Sequence, residues 1–259
     1  MSVDVLIYGF TAALIASLFS GLGGILIYCK KQYTRSNINF MLNMAAGIML
    51  SSSVFNLLVP AIKTITSVEA NIYYGAFIII LAIICGVGVI WILHEFLPHE
   101  HEKELLQNVN LINPKSALLF VFAIALHKLP EGIAIGVSYG GFEYINPLAL
   151  TIGMALQNIP EGLMVATSLF AIGFNKRKSA SYATLTGLIQ PLGSVIGVLF
   201  TGISQGMIPF GMALAGGTML FVIINEVLPE TYDCKRDERG TLAIVIGFIF
   251  MTYLSIVLE

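Results

Sequence analysis

Eight stretches of this chain are too long and too apolar to sit inside a water-soluble domain: residues 5–28, 38–62, 72–93, 117–139, 145–173, 180–203, 208–230 and 241–258. A helix crossing the hydrocarbon core needs roughly 20 mainly apolar residues, and each stretch is near that length. Hydrocarbon offers no water to backbone N–H and C=O groups, so each stretch must pair them internally, as a helix. Composition agrees, with 57% hydrophobic residues and 11% charged ones, against roughly 25% charged in soluble domains. The expected class is an all-α membrane protein with eight transmembrane helices. The leader Met1-Ser2-Val3-Asp4 is acidic and the run behind it is long, which argues against a cleaved signal peptide.

Lysine and arginine orient the chain, because cytoplasmic connections accumulate them. The odd-numbered connections hold Lys30, Lys31 and Arg35; Lys103 and Lys115; Lys176, Arg177 and Lys178; and Lys235, Arg236 and Arg239, which is eleven of the thirteen basic residues. The even-numbered connections and both termini hold Lys63 alone, and Lys128 lies inside a span. Both termini are therefore expected outside the cytoplasm, in a cell (inner or plasma) membrane. Net charge is −2, and nothing suggests nucleic-acid binding. Cys29, Cys85 and Cys234 are odd in number, and two fall at cytoplasmic ends, so no disulfide framework is expected.

Two spans carry the same hexapeptide pattern, His127-Lys128-Leu129-Pro130-Glu131-Gly132 and Gln157-Asn158-Ile159-Pro160-Glu161-Gly162. Residues four apart share a helix face, which stacks His127 above Glu131 and Gln157 above Glu161. Each proline removes one backbone N–H and leaves the carbonyl of Leu126 or Leu156 without its helical partner. Ionisable residues at bilayer depth are costly and mark ion or proton pathways. One imidazole nitrogen with several carboxylate and amide oxygens suits zinc, and tolerates iron(II), manganese, cobalt or cadmium. Met49 in the second span is a weaker candidate, since a methionine among leucines is usually packing. The alternatives are an interhelical hydrogen-bond network and protonated glutamates in a proton channel.

Lys128 is three positions from Glu131, within reach of its carboxylate. It acts either as a built-in cation or by snorkelling to the interface, which its central position makes harder. Gln190 and Asn56 are polar groups at depth that either orient ligands or glue helices. Glu226, near the cytoplasmic end of the seventh span, and His94, Glu95, His99 and His101 in the third connection form a candidate exit path. That connection is also read as a weak metal-collecting loop or a merely solvated turn. His94 and His99 are five apart, with Pro98 between them, so this is not the His-Glu-x-x-His helix of a zinc protease.

The second and seventh spans look alike. Ala46-Gly47-Ile48-Met49-Leu50 with Asn56-Leu57-Leu58-Val59-Pro60 parallels Gly216-Gly217-Thr218-Met219-Leu220 with Glu226-Val227-Leu228-Pro229. Similar helices running in opposite directions predict an inverted repeat of spans 1–3 and 6–8, with spans 4 and 5 between the halves. Gly132 and Gly136, Gly136 and Gly140, and Gly193 and Gly197 are each four apart, a spacing that lets helix backbones approach.

HKLPEG at 127–132, QNIPEG at 157–162, GLIQPLG at 187–193 and GIML at 47–50 resemble the ZIP (Zrt-/Irt-like protein) family of divalent-metal transporters, most closely its GufA-like bacterial branch. The resemblance spans essentially the whole chain. It implies zinc import toward the cytoplasm and a 3+2+3 helical arrangement within one polytopic domain, 1–259. The first repeat is then 5–93, the cytoplasmic His-containing loop 94–116, the central pair 117–173 and the second repeat 180–258. It assigns the metal ligands to His127, Glu131, Gln157 and Glu161, with Met49 supplementary. A second metal, bridged by the glutamates in many members, would use positions that here hold Lys128, Asn158 and Gln190. A charged lysine cannot ligate, so that second position is altered.

The expected substrate is a divalent metal ion, zinc first, with cadmium, iron, manganese and cobalt as alternatives, and no cofactor is expected. The expected partners are this ion and the lipid bilayer; a homodimer is compatible with the sequence. An enzyme is not expected. The alternatives from other classes are a membrane metallohydrolase and a proton-conducting or sensor membrane protein. A hydrolase zinc needs three ligands and an activated water near an accessible mouth, and this chain has one intramembrane histidine.

Overall fold

The computed structural model describes residues 3–29, 35–96, 125, 128–140, 146–171, 173–203, 207–228 and 238–258. Every regular element among them is helical. In chain order they are α1 (Val3–Ile25), α2 (Arg35–Ser51), α3 (Val59–Val68), α4 (Ile72–Phe96), α5 (128–138), α6 (Pro147–Ala171), α7 (Lys176–Gly187), α8 (Gln190–Ile203), α9 (Met207–Val222) and α10 (Glu238–Leu258). Seven membrane-crossing helices are long and apolar enough to span, among the described residues: Val3–Tyr28, Asn39–Val68, Ile72–Ile92, Pro147–Phe170, Lys176–Gly202, Met207–Asn225 and Glu238–Leu258. The expected fourth span, 117–139, is described only at 125 and 128–139.

Two helices run beyond their expected ends. The second span reaches Val68, because Pro60 sits in the first turn of α3, where its missing N–H is harmless. The hydroxyls of Thr66 and Ser67 fold back onto the carbonyls of Ile62 (2.8 Å) and Thr64 (2.8 Å), so polar residues continue the helix past the apolar run. The sixth span starts at Lys176, within the basic connection, because the Asn175 side chain accepts from Lys178 N–H at 2.8 Å and caps it. Asn71 caps α4 and Asn146 caps α6 in the same way. Gly173 closes the end of α6 with φ +96°, the left-handed conformation that favours glycine.

Two spans contain π-helical turns, Ser52–Leu58 between α2 and α3 and Ile223–Val227 after α9. In each, the residue before a proline donates five residues back: Val59 to Val54 and Leu228 to Ile223. A proline ring clashes with the carbonyl four residues earlier, and a widened turn relieves the clash without ending the helix. For Pro60 that carbonyl belongs to Asn56.

Helix backbones meet at reciprocal glycine crossings. A Cβ on Gly23 of α1 would strike the Ile159 carbonyl of α6, and one on Gly162 would strike Ser20 of α1. Gly132 and Gln190, with Gly193 and Leu129, make the same reciprocal contact between α5 and α8. Gly47 with Ile244 and Gly247 with Met44 join α2 to α10; Gly86 with Leu214 and Gly217 with Ile83 join α4 to α9. The helices therefore sort into two groups, α1, α5, α6, α7 and α8, and α2, α3, α4, α9 and α10. Among the described residues the groups meet where α8 meets α9, where Val137 of α5 packs on Gly211 of α9, and where α2 and α10 pack on α6. At one end of this seam a cavity of about 250 Å³ is lined by Asn56, Asn146, Thr252 and Ser255 with Phe55 and Ile256.

Candidate functional site

Both hexapeptides fall where α1 and α8 press against α5 and α6, since Gly132 and Gly162 are their last residues and the crossing points. This packing buries the polar side chains. Lys128 is 1% exposed, Glu131 3%, and Gln157, Asn158 and Gln190 0%. The Glu161 side chain remains 13% exposed.

The two glutamates, thirty residues apart, come together on the ammonium of Lys128. Lys128 Nζ donates to Glu131 Oε1 at 3.2 Å and Oε2 at 3.0 Å, and also to Glu161 Oε2 and Asn158 Oδ1. Asn158 Nδ2 in turn donates to the Ala16 carbonyl at 2.8 Å and to Gln190 Oε1 at 2.9 Å. Gln190 Nε2 donates to Glu131 Oε2 at 3.3 Å. Gln190 heads α8 because Pro191 follows it: the helical run breaks at Leu188 and Ile189, and Gln190 restarts it beside Glu131. The network thus joins α1, α5, α6 and α8, and Lys128 does not snorkel.

Gln157 joins this network through a side-chain hydrogen bond to Glu131. Its Nε2 also meets the Met154 sulfur at 3.3 Å, and its buried Oε1 has no hydrogen-bond partner among the described residues. A buried acceptor of this kind has the chemistry to take a hydrogen bond or face a cation.

Of the other expected site residues, Met49 is buried in α2, 3% exposed. Ser52, on the next turn of that span, lies beside Gly153, one turn before Gln157. His127 lies outside the described residues, as do His99 and His101 and the side chains of His94, Glu95 and Glu226. Asn56 donates to Ser52 Oγ at 3.4 Å on its own helix and makes no described contact with the carboxylates. Ala16, whose carbonyl holds Asn158, was not foreseen, because a backbone acceptor on an apolar helix leaves no trace in residue type.

The fold and site define a multi-pass helical membrane protein with a buried carboxylate pair. Residues 94–255 match the family described as ZIP zinc transporter. The chain is 32% identical to the zinc transporter GufA of Myxococcus xanthus over 95% of its own length and 97% of that protein. It is 36% identical to the zinc transporter ZIPB of Bordetella bronchiseptica, over 91% of this chain and 76% of that protein. With the zinc transporter ZupT of Escherichia fergusonii identity is 30%, over 95% of each chain. The chain belongs to the ZIP zinc transporter family. The family is one of transporters rather than enzymes, which removes the hydrolase alternative.

Proposed function

We propose that this protein carries zinc across a cell membrane into the cytoplasm through a site formed by His127, Glu131, Gln157 and Glu161. The observation that carries the reading is the convergence of Glu131 and Glu161 from two helices, deep in the fold, beside the unpartnered Gln157 oxygen. Two carboxylates replace much of the hydration that a divalent ion loses on entering the membrane. His127, one turn from Glu131 in sequence, supplies the nitrogen that zinc favours. Met49 supplements the set; the contact of Ser52, three residues on, with Gly153 of α6 supports this. Related divalent ions, cadmium foremost, fit the same donors.

The site lies in a 3+2+3 arrangement with inverted repeats. The glycine crossings support it. A shift of 170 carries Ser20, Gly23, Met44 and Gly47 onto Gln190, Gly193, Leu214 and Gly217, and a shift of 161 carries Ile83 and Gly86 onto Ile244 and Gly247. Under these shifts the α1–α6 crossing becomes α8–α5 and the α2–α10 crossing becomes α9–α4, each glycine keeping its corresponding carbonyl. The paired π turns follow the same relation. The central pair, 117–173, sits between the halves, and the segregated basic residues support termini outside the cytoplasm and a cytoplasmic 94–116 loop carrying the exit-path candidates.

Uptake of radioactive zinc into liposomes containing the purified protein tests the reading. The parent protein is expected to accumulate zinc and the Glu131→Ala/Glu161→Ala double variant to accumulate none. Undiminished uptake by that variant contradicts the site.

A further inference from the structure

Transport through a buried carboxylate pair poses a problem on the return leg, when the metal has left and two negative charges remain in a low-dielectric site. We propose that Lys128 is a tethered counter-ion that neutralises one of these charges, so that the emptied carrier resets without binding another cation. The proposal rests on the transport reading above and names how that same site is reset.

The ammonium sits among oxygen acceptors: both oxygens of Glu131, one of Glu161 and Oδ1 of Asn158. Asn158 is turned for this purpose. Its Nδ2 donates to the Ala16 carbonyl and to Gln190 Oε1, so its oxygen must face the ammonium. Gln190 is likewise held with its amide nitrogen toward Glu131. Four helices thus build a seat for a positive group, and the chain fills the seat with its own side chain. Gln157 is not among the partners of Lys128, and its free oxygen leaves a second approach to the carboxylates for an incoming ion.

The charges make the consequence definite. With Lys128 the emptied site carries one net negative charge, and the zinc-loaded site one net positive charge. Without it the emptied site carries two negative charges in contact, and like charges at such a site disfavour the ionised pair. Removing one partner from a buried ion pair leaves an uncompensated charge, which is strongly unfavourable. The occupied seat also excludes a second divalent ion, so each chain carries one metal at a time.

Two fluxes separate this role from a structural one. Zinc-for-zinc exchange, with zinc on both sides of the liposome, requires only the loaded protein to move. Net uptake into zinc-free liposomes also requires the empty protein to return. Lys128→Met keeps most of the side-chain length and removes the charge. It is expected to lower the ratio of net uptake to exchange by at least about tenfold. A ratio equal to the parent's overturns the proposal, and so does loss of both fluxes in a variant that still binds zinc by calorimetry. The parent alone gives an independent check, in liposomes clamped with valinomycin and potassium gradients. Each zinc is expected to carry its full double charge inward, and a smaller charge, from a proton or potassium ion moved outward, overturns the proposal even if no Lys128 variant assembles. Absence of both fluxes from the parent overturns the transport reading, and this inference with it.

Discussion

At the scale of single residues, Gln157 is a buried side chain with one half of its amide unsatisfied. The side chain hydrogen-bonds Glu131 and its nitrogen meets the Met154 thioether, but its oxygen has no donor among the described residues. Leaving such a group buried and unpaired costs roughly 1–3 kcal/mol. A residue kept at that expense serves something other than stability. We expect Gln157→Leu to leave the thermal unfolding midpoint little changed, because loss of the Glu131 hydrogen bond is offset by removal of the orphaned acceptor at similar volume. Zinc affinity, measured by calorimetry, should fall by at least the roughly tenfold that loss of even an outer ligand partner produces. Unchanged affinity would remove Gln157 from the ligand set. Lys128 is the opposite case, a charged group with every direction occupied. Its pairing with Glu131 could be read from their three-residue spacing, because that spacing alone brings the side chains together. Its contacts with Asn158 and Glu161, and the Gln190 bond to Glu131, could not. They depend on the relative height of helices that are far apart in sequence, which residue type does not encode.

At the scale of helices, the apolar runs fixed where most spans lie, and capping and proline chemistry fixed where they end. The sequence reading stopped the second span at residue 62 because Lys63, Thr64 and Thr66 are polar. The structure continues it, since backbone pairing and hydroxyl back-bonding do not need apolar residues. The π turns were also not foreseen. Proline predicts a defect, but whether the helix breaks, kinks or widens depends on the packing around it. The glycine spacing announced close approach in α5 and α8, and the structure supplies the partners. Gly162→Ala should be severely destabilising, because its Cβ would meet the Ser20 backbone, which cannot give way as a side-chain tip could. Overpacking of this kind costs about 1–3 kcal/mol, and more where backbone must shift. Gly88→Ala, by contrast, should be neutral or slightly stabilising, since nothing lies within 4 Å of its added Cβ and alanine favours the helix. Folded yield from detergent, followed by size-exclusion chromatography, distinguishes the two. Equal yields would mean that the crossings are looser than described.

At the scale of the whole molecule, the glycine crossings hold helices together within two groups, and the carboxylate site belongs to one of them. The α1, α5, α6 and α8 group contributes all the described network residues, whereas Met49 comes from the other group across the α2–α6 seam. A metal held by Glu131, Gln157 and Glu161 would therefore travel with the first group, and Met49 would be the contact that changes if the groups move. Only the likeness of spans two and seven was legible in the sequence, as a signal of the proposed repeat, and it does not announce this grouping. The pairing of α1 with α6 and of α5 with α8 was not legible either, since glycine is common in membrane helices and only the folded chain reveals which glycines meet. The central claim, a single divalent ion on the carboxylate pair, is tested most directly by anomalous scattering from crystals soaked in cadmium. The account predicts one strong peak per chain within ligand distance of Glu131, Gln157, Glu161 and His127, with the Lys128 ammonium still in its seat. A pair of strong peaks bridged by the glutamates, or none near them, would contradict it.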